Sequence, residues 1–244
     1  SPALNSYPLT VSTWIKTSNS GNAAGGVVSK YVDGSLNGWS IHTYGGRVRG
    51  WYFANPSNYV YGGSLGLGLD GGFVADGQWH HIVMVIDGSG GTMYVDSMPR
   101  DHLNWTGTPG ATTTTQPLQI GLYSNYANGF NGQIDEVSVW SIGMTSFQVC
   151  DLQRRAPLGS EIALEGLWKL DEGAGTTAKD SSSHARHGSL AFPISAPAWV
   201  VSTAPVRRAT SVDSESLNGI LAQRQNITIA EAGLTAGAVV VRLP

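Results

Sequence analysis

Hydrophobic and polar positions alternate with a period of two along much of the chain. The alternating runs are rich in Val, Ile, Thr, Trp and Tyr, and Gly, Asn, Ser and Asp separate them. Because successive side chains of a strand point to opposite faces, this pattern predicts β-strands. The predicted strands are Leu9 to Lys16, Gly26 to Tyr31, Trp39 to Tyr44, Val48 to Phe53, Trp79 to Asp87, Thr92 to Asp96, Leu118 to Gly121 and Gln133 to Trp140.

The first run shows how the faces divide. Leu9, Val11 and Ile15 fall on one face, whereas Ser12 and Trp14 fall on the other. This division predicts one buried face and one face in contact with water. Many short strands of this kind, separated by Gly-containing turns, are typical of a β-sandwich or a β-barrel.

One short helix is predicted, from Thr145 to Arg155. Thr145 can cap its N-terminus, and Phe147, Cys150 and Leu152 could form an apolar stripe. Helix signals are almost absent elsewhere, so we expect an all-β domain that a single helix closes.

Composition and charge exclude several classes of protein. The chain has 244 residues, a net charge of -3 and only 13% charged residues, against roughly 25% in average soluble domains. No apolar run approaches the roughly 20 residues of a transmembrane helix, so membrane insertion is not expected. The 14 basic residues are scattered, which argues against nucleic acid as a partner. Because the chain begins at Ser1, we expect it to be a processed form or a part of a longer protein.

Cysteine usage narrows the possibilities further. Cys150 is the only cysteine, so an internal disulfide and a cysteine-type zinc site are both excluded. A large core must therefore supply the stability of the fold.

Five motifs occur in a characteristic order: Thr10 to Lys16, Asp76 to Val83, Met93 to Asp96, Pro117 to Gly121 and Phe130 to Trp140. In this order they resemble the laminin-G-like, concanavalin-A-like jelly-roll superfamily, over residues 7 to 155. The resemblance implies an all-β, two-sheet antiparallel jelly-roll sandwich.

A second match concerns the segment from Leu164 to Ser182. It is similar to the opening of such a domain, yet here it follows the rest. We therefore predict three parts: a sandwich at 1–156, a permuted opening segment at 157–202, and a connector with C-terminal strands at 203–244.

The permuted order leaves three alternatives open. Without its opening strands the first part would expose unpaired backbone groups at a sheet edge. The later segment can complete the same sandwich in cis, insert into a neighbouring copy in trans, or begin a second tandem domain. For exchange between molecules, the strand from Ala238 to Leu243 is the candidate donor.

Asp135 and Glu136 invite comparison with laminarinase-type glycoside hydrolases, which share the sandwich architecture. Retaining chemistry needs two carboxyl groups on one face, about 5 to 5.5 Å apart. On a regular strand these neighbours point to opposite faces, and two positions before Asp135 stands Gln133, which is not an acid. We therefore expect no enzymatic activity.

Metal chemistry has one candidate. Adjacent His80 and His81 diverge on a strand and cannot bind one ion together. Sandwich relatives often hold calcium, and the resemblance suggests that Asp135 and Asp180 could meet around such an ion. Ser181 and the serines that follow replace the asparagines usual in relatives, which weakens this hypothesis.

Related modules commonly bind glycans, through aromatic rings that stack on sugar faces. Trp51, Trp105 and Tyr126 are the candidate ligand-binding residues. The resemblance thus favours a non-catalytic, extracellular or cell-surface domain for adhesion or for recognition of a glycan or a surface protein. One alternative is a structural subunit that associates head-to-tail through its C-terminal strands, and a glycoside hydrolase is a remote second.

Overall fold

The computed structural model of the chain describes residues 2–62, 67–124, 127–190 and 197–208. A 3₁₀ turn at Pro2–Leu4 precedes the strands, and one α-helix, α1 (Ser146–Arg154), follows the thirteenth strand. The strands are β1 (Leu9–Lys16), β2 (Gly25–Lys30), β3 (Gly38–Tyr44), β4 (Arg47–Asn55), β5 (Asn58–Val60), β6 (Leu69–Phe73), β7 (Trp79–Asp87), β8 (Gly90–Val95), β9 (Met98–Leu103), β10 (Gln119–Ile120), β11 (Leu122–Ser124), β12 (Ala127–Gly129), β13 (Gln133–Trp140), β14 (Arg155–Ala156), β15 (Leu164–Trp168), β16 (Thr177–Ala178), β17 (Gly188–Ser189) and β18 (Arg207–Arg208).

Two large sheets form a sandwich. Sheet A has the order β15-β13-β1-β7-β8-β9, and all its pairs are antiparallel. Sheet B has the order β11-β12-β2-β3-β4-β5, with β10 on β2 and β6 on β4. Its pairs are antiparallel except β12 with β2, which is parallel. The predicted all-β sandwich with one short helix is confirmed.

The main core lies between the two sheets. It takes alternate residues from both, among them Trp39 and Tyr52 of sheet B and Ile82, Met84 and Val137 of sheet A, all fully buried. Each such side chain contributes roughly 1.5–3 kcal/mol when it leaves water.

The outer face of sheet A is also buried, contrary to the prediction of a face in contact with water. Ser12 and Trp14 are each only 3% exposed. At one end of this face, Val83 packs in a second cluster with Val149 and Leu152 of α1. The alternation with a period of two therefore predicted the strand correctly, but it did not predict that other residues cover the second face of the strand.

Helix α1 is confirmed, and its start is fixed by a capping box. The Thr145 side chain accepts from the Gln148 backbone, and the Gln148 side chain accepts from the Thr145 backbone. The predicted apolar stripe is wrong at Phe147, which is 52% exposed, because Val149 and Leu152 face the sheet instead.

Strand β15 completes sheet A within the same chain. It pairs antiparallel with β13, with Leu167 opposite Ser138. Its other edge is closed as well: the Leu167 N–H donates to Asp180 Oδ1 at 2.9 Å, and the Ser181 N–H donates to the Leu167 carbonyl at 2.6 Å. A closed edge does not offer backbone groups to another chain.

The stretch after residue 196 runs back along the sandwich. Trp199 donates from Nε1 to the Gly175 carbonyl at 2.8 Å, and Trp79 donates from Nε1 to Thr203 Oγ1 at 3.0 Å. Strand β18 then pairs in parallel with β14. The predicted strand from Ala238 to Leu243 lies outside the described residues, and the predicted limits of the three parts stay predictions.

In the part of the chain that the structure describes, no helix is long and apolar enough to cross a membrane.

Candidate functional site

Aromatic side chains gather on the outer face of sheet B. Strand β4 shows why: Val48 and Tyr52 face the core, so Arg49, Trp51 and Phe53 must face outward. We call the resulting surface the aromatic patch, and it consists of Tyr31, His42, Trp51, Phe53, Tyr59, Tyr61 and Tyr123.

The rings of the patch pack in two levels. Tyr31, Trp51 and Phe53 form a floor that is 3% to 5% exposed, and the Tyr31 and Trp51 ring centroids lie 4.2 Å apart at 72°. Tyr59 and Tyr61 each lie 5.3 Å from Phe53, and Tyr61 is 39% exposed. Edge-to-face contacts of this kind hold rings rigidly, so the floor supports the accessible tyrosines.

His42 of β3 extends the floor. Its ring lies 5.1 Å from that of Tyr123 and 6.2 Å from that of Trp51. Burial, helped by the positive charge of Arg49, lowers the pKa of His42 to about 3. The imidazole is therefore neutral at physiological pH and does not add charge to the patch.

Tyrosine hydroxyls and one carboxylate line an end of the patch. The pKa of Tyr123 is raised to about 12, chiefly by burial and in smaller part by Asp33, Tyr31 and Tyr61. Tyr123 packs against the cluster that contains Tyr31, and the Asp33 N–H donates to Ser124 Oγ at 2.7 Å, which brings the exposed Asp33 close to Tyr123. The raised pKa values of Tyr31 and Tyr123 keep these two phenols protonated at neutral pH, and a protonated phenol can both donate and accept hydrogen bonds.

Arg49 borders the patch on the side of β6. It is 2% exposed, and its Nη1 lies 3.2 Å from Oδ2 of Asp70, which also accepts from Arg47 at 2.9 Å. Arg49 Nε has no hydrogen-bond partner in the described ranges. Asp70 is thus shared by two guanidinium groups, and the buried Arg49 keeps this border of the patch polar.

The predicted ligand-binding residues fall in different places. Trp51 belongs to the floor of the patch, whereas Trp105 packs against Tyr52 on the core side of sheet B and donates from Nε1 to the Asp87 carbonyl at 2.6 Å. Tyr126 lies outside the described residues. The structure therefore does not bring Trp51 and Trp105 into one groove.

The two predicted metal ligands have internal partners. Asp180 accepts backbone hydrogen bonds from Leu167, Ser182 and Arg186 at 2.7 to 2.9 Å. Burial alone would raise the pKa of Asp180, but these hydrogen bonds outweigh it and lower the pKa. Asp135 is 2% exposed, and its Oδ1 accepts from the Glu136 N–H at 2.9 Å.

Within the four described ranges, no group of three or more His, Cys, Asp or Glu side chains is placed to hold a metal ion. Calcium binding by Asp135 and Asp180 stays a prediction.

The expected divergence of Asp135 and Glu136 rests on regular strand geometry, which β13 does not have. A bulge shifts the register against β1 between Ser12 and Trp14, and Glu136 adopts a φ of +50°. Simple alternation therefore fails here. Both carboxylates are nevertheless buried, at 2% and 4% exposure, so neither borders an opening.

Sequence reasoning missed Tyr31 and His42 as members of the patch. The alternation of Arg49, Trp51 and Phe53 around Tyr52 was a usable signal for the outward face of β4. The neighbours on β2 and β3 become visible only once the strand order is known.

Comparison with protein families yields one match. A family model of the laminin G type, described as the concanavalin A-like lectin/glucanases superfamily, matches residues 1–150. No curated protein sequence matches the chain significantly.

Three solved structures illustrate the structural similarity. A Bacteroides ovatus protein, provisionally described as carbohydrate binding, has a TM-score of 0.54 at 16% identity over 73% of this chain and 50% of its own. Mouse laminin α1 domains LG4-5 give 0.46 at 16%, over 58% and 38%. Domain 4 of the Geobacillus stearothermophilus extracellular arabinanase AbnA, in complex with arabinotriose, gives 0.45 at 21%, over 61% and 67%. The chain thus covers half or less of the length of the first two of these proteins.

Proposed function

The chain belongs to the concanavalin A-like lectin/glucanases superfamily, as its motifs suggested, and from this premise we propose that it is a non-catalytic recognition domain. Its aromatic patch binds a glycan. The observation that carries the proposal is the rigid floor of Tyr31, Trp51 and Phe53 beneath the accessible ring of Tyr61.

The chemistry of the patch suits a sugar. A pyranose offers an apolar face of C–H groups and a rim of hydroxyls. The Tyr61 ring provides a stacking surface, and the half-buried phenol of Tyr123 with the exposed carboxylate of Asp33 provides a donor and acceptors nearby. Because the floor is packed in advance, binding immobilises few side chains.

Burial supports the non-catalytic part of the proposal. Glycoside hydrolysis needs two carboxyl groups that touch the substrate. Asp135 and Glu136, which sequence comparison with hydrolases singles out, are 2% and 4% exposed. Hydrolysis that is lost on Asp135→Asn would contradict the proposal.

We place this recognition outside the cell or at its surface, where glycans are displayed, in an adhesion protein or a secreted one. A surface protein that inserts its own side chains between Tyr59 and Tyr61 is the alternative partner. Exchange of C-terminal strands between molecules concerns residues outside the described ranges, and cis pairing of β15 gives it no support.

A glycan array with the full chain, followed by calorimetry on the best ligand, tests the proposal. Tyr61→Ala should weaken binding by about two- to tenfold, since one stacked ring contributes about 0.5–1.5 kcal/mol. Tyr44→Ala is the matched control: Tyr44 lies on the same sheet and is 37% exposed, against 39% for Tyr61. Tyr44 has no ring contact with the patch among the described residues.

The control should bind like the parent. An array without any ligand, or an equal loss in the two variants, would overturn the proposal. Because both side chains are exposed, neither change should alter thermal unfolding, and a shift in one variant alone would reveal damage to the fold.

A further inference from the structure

A polar cleft of about 490 Å³ opens between the edges of the two sheets, away from the aromatic patch. Strand β6 of sheet B forms one wall, and strands β7, β8 and β9 of sheet A form the other. Its volume falls in the range of small-ligand sites, roughly 300–1,000 Å³. The charged and aromatic side chains that line the cleft are Arg47, Asp70, Phe73, His80, Asp96, Arg100 and Asp101.

The carboxylates of this cleft already accept hydrogen bonds from the protein itself. Asp70 accepts from Arg47 and from the Gly72 N–H at 2.9 Å. Asp101 accepts from the Asp70 N–H and from the His102 N–H, both at 2.9 Å. Asp101 thus ties the two walls together, and each of these carboxylates already accepts at least two hydrogen bonds from the protein.

Asp96 is committed in the same way. Its Oδ2 lies 2.8 Å from His80 Nδ1, and its Oδ1 accepts from the His81 N–H at 2.9 Å. His80 also contacts Asp76 through Nε2 at 3.1 Å. The ring of His80 thus lies between two carboxylates, and when it is protonated it offsets part of their negative charge.

By contrast, the two arginine side chains of the cleft have N–H groups that bind no other residue in the described ranges. Arg100 is exposed, and within the described ranges its side chain has neither a hydrogen bond nor an ion pair. Arg47 contacts Asp70 through Nε and Nη2, so its Nη1 has no partner in the same ranges. Two guanidinium groups with free N–H bonds favour an anionic acceptor such as a carboxylate or a sulfate.

An apolar surface lies beside these donors. Phe73, at the end of β6, is 55% exposed and forms part of the cleft. An exposed ring next to a free guanidinium is a combination that can hold a sugar ring and its charged substituent together.

We propose that this cleft is a second binding site, for a saccharide residue that carries a carboxylate or a sulfate group. Arg100 binds the anionic group, Arg47 adds a donor, and Phe73 stacks on the ring. The site shares no residue with the aromatic patch, so it can be present whether or not the patch binds a neutral glycan.

Titration of the full chain with three oligosaccharides tests this proposal: digalacturonic acid, a sulfated galactobiose and neutral galactobiose. We expect at least one acidic ligand to bind, and the neutral one to bind about tenfold more weakly or not at all. Arg100→Gln should weaken the acidic ligand by about tenfold. The matched control is Arg154→Gln, since Arg154 is also exposed and its side chain has no partner in the described ranges.

A second pair of variants tests the stacking ring. Phe73→Ala should weaken the acidic ligand by about two- to tenfold. Phe147→Ala is the control, because Phe147 has a similar exposure of 52% but lies on α1.

The proposal fails if neither acidic ligand binds, if Arg100→Gln binds like the parent, or if Arg154→Gln loses as much. Binding of the acidic ligands that depends on Tyr61 and not on Arg100 would support the aromatic patch and overturn the second site. Binding that depends on Arg100 and survives Tyr61→Ala would establish the second site alone.

Discussion

His80 and Asp96 share a hydrogen bond of 2.8 Å that joins the start of β7 to the turn after β8. The same ring contacts Asp76, four residues earlier, at 3.1 Å. The bond to Asp96 is the main cause that raises the pKa of His80; burial opposes it, and Asp76 adds to it. The imidazolium thus fastens the loop before β7.

This contact predicts a dependence of stability on pH. Because the folded pKa of His80 lies above the unfolded value near 6.5, its stabilisation is present in full below that value and is lost as pH rises through the folded pKa. His80→Gln should therefore lower the free energy of unfolding by about 0.5–1.5 kcal/mol at pH 5.5 and by less at pH 9. Urea unfolding at the two pH values measures the difference.

His102→Gln is the control for this prediction. The His102 ring is exposed, and its Nδ1 contacts a hydroxyl, Thr92 Oγ1, instead of a carboxylate. A loss that is equal at both pH values in His80→Gln would show that packing of the ring matters and not its charge.

Lys30 is fully buried, which is rare for a lysine. Its Nζ donates to the Thr114 carbonyl at 3.1 Å, and burial lowers the pKa of Lys30 to about 8. The ammonium is still the main form at pH 7, so the fold must hold a charge away from water.

Lys30→Met should therefore make the protein more stable at pH 7, on the order of 1–3 kcal/mol. The Thr114 carbonyl keeps a donor, because Asn5 Nδ2 also donates to it at 2.8 Å. Since the folded pKa lies below the unfolded one, the penalty of the charge is complete below about pH 8 and disappears above about 10.5. Urea unfolding at pH 7 and 9.5 should show the gain shrinking.

Exposed Lys179 supplies the comparison for that experiment. Lys179→Met should change stability little at either pH. If Lys30→Met is less stable than the parent at pH 7, the methylene packing and hydrogen bond of Lys30 outweigh the cost of its buried charge.

The sequence predicted long strands well and short ones poorly. The bounds of β1, β7 and β13 match the prediction because each run is eight or nine residues long and rich in β-branched and aromatic residues. Strands β6 and β9 were missed: β6 contains Gly71 and Gly72, and β9 contains Pro99 and Arg100. Such residues disfavour isolated strands, and here pairing at a sheet edge overrides local propensity.

The candidate site was less accessible to sequence reasoning. Trp51 was expected in the site, but its neighbour Tyr31, directly after β2, reaches it through a strand order that no local pattern records. The bulge at Glu136 was invisible for the same reason, since it depends on how β13 pairs with β1. Both features arise from contacts between residues that are distant along the chain.

Asp180 fastens the loop of residues 180–187 to the edge of β15. Asp180→Asn would turn an amide donor toward one of the backbone N–H groups that now donate to the carboxylate. We expect a loss of about 1–3 kcal/mol. Because the pKa of Asp180 is lowered in the folded protein, the parent should also lose this contribution as pH falls below about 4.

Denaturant unfolding at pH 7 and pH 3 measures this loss, with Asp33→Asn alongside. Asp33 is exposed, and its side chain accepts one hydrogen bond, from the Gly34 N–H at 3.1 Å. A penalty for Asp180→Asn no greater than that for Asp33→Asn would mean that the loop contributes little to the fold.

Shortening the chain tests the role of β15. A version that ends at Ala156 lacks Leu167 and Trp168, which are 0% and 3% exposed, and leaves the outer edge of β13 unpaired. We expect it to unfold or aggregate, because an open edge and an incomplete core favour association. A version that ends at Arg208 keeps every described contact and should remain a folded monomer.

Light scattering at two protein concentrations distinguishes these outcomes. A folded, monomeric version ending at Ala156 would show that β15 is dispensable and would contradict the cis completion of sheet A as a source of stability. If the full chain forms oligomers that the version ending at Arg208 does not form, residues 209–244 act between molecules, and assembly gains over glycan recognition as the role of this part of the chain. A monomeric full chain together with a folded version ending at Arg208 would instead show that the sandwich is complete within one molecule and that nothing beyond β18 is needed to hold its sheets together.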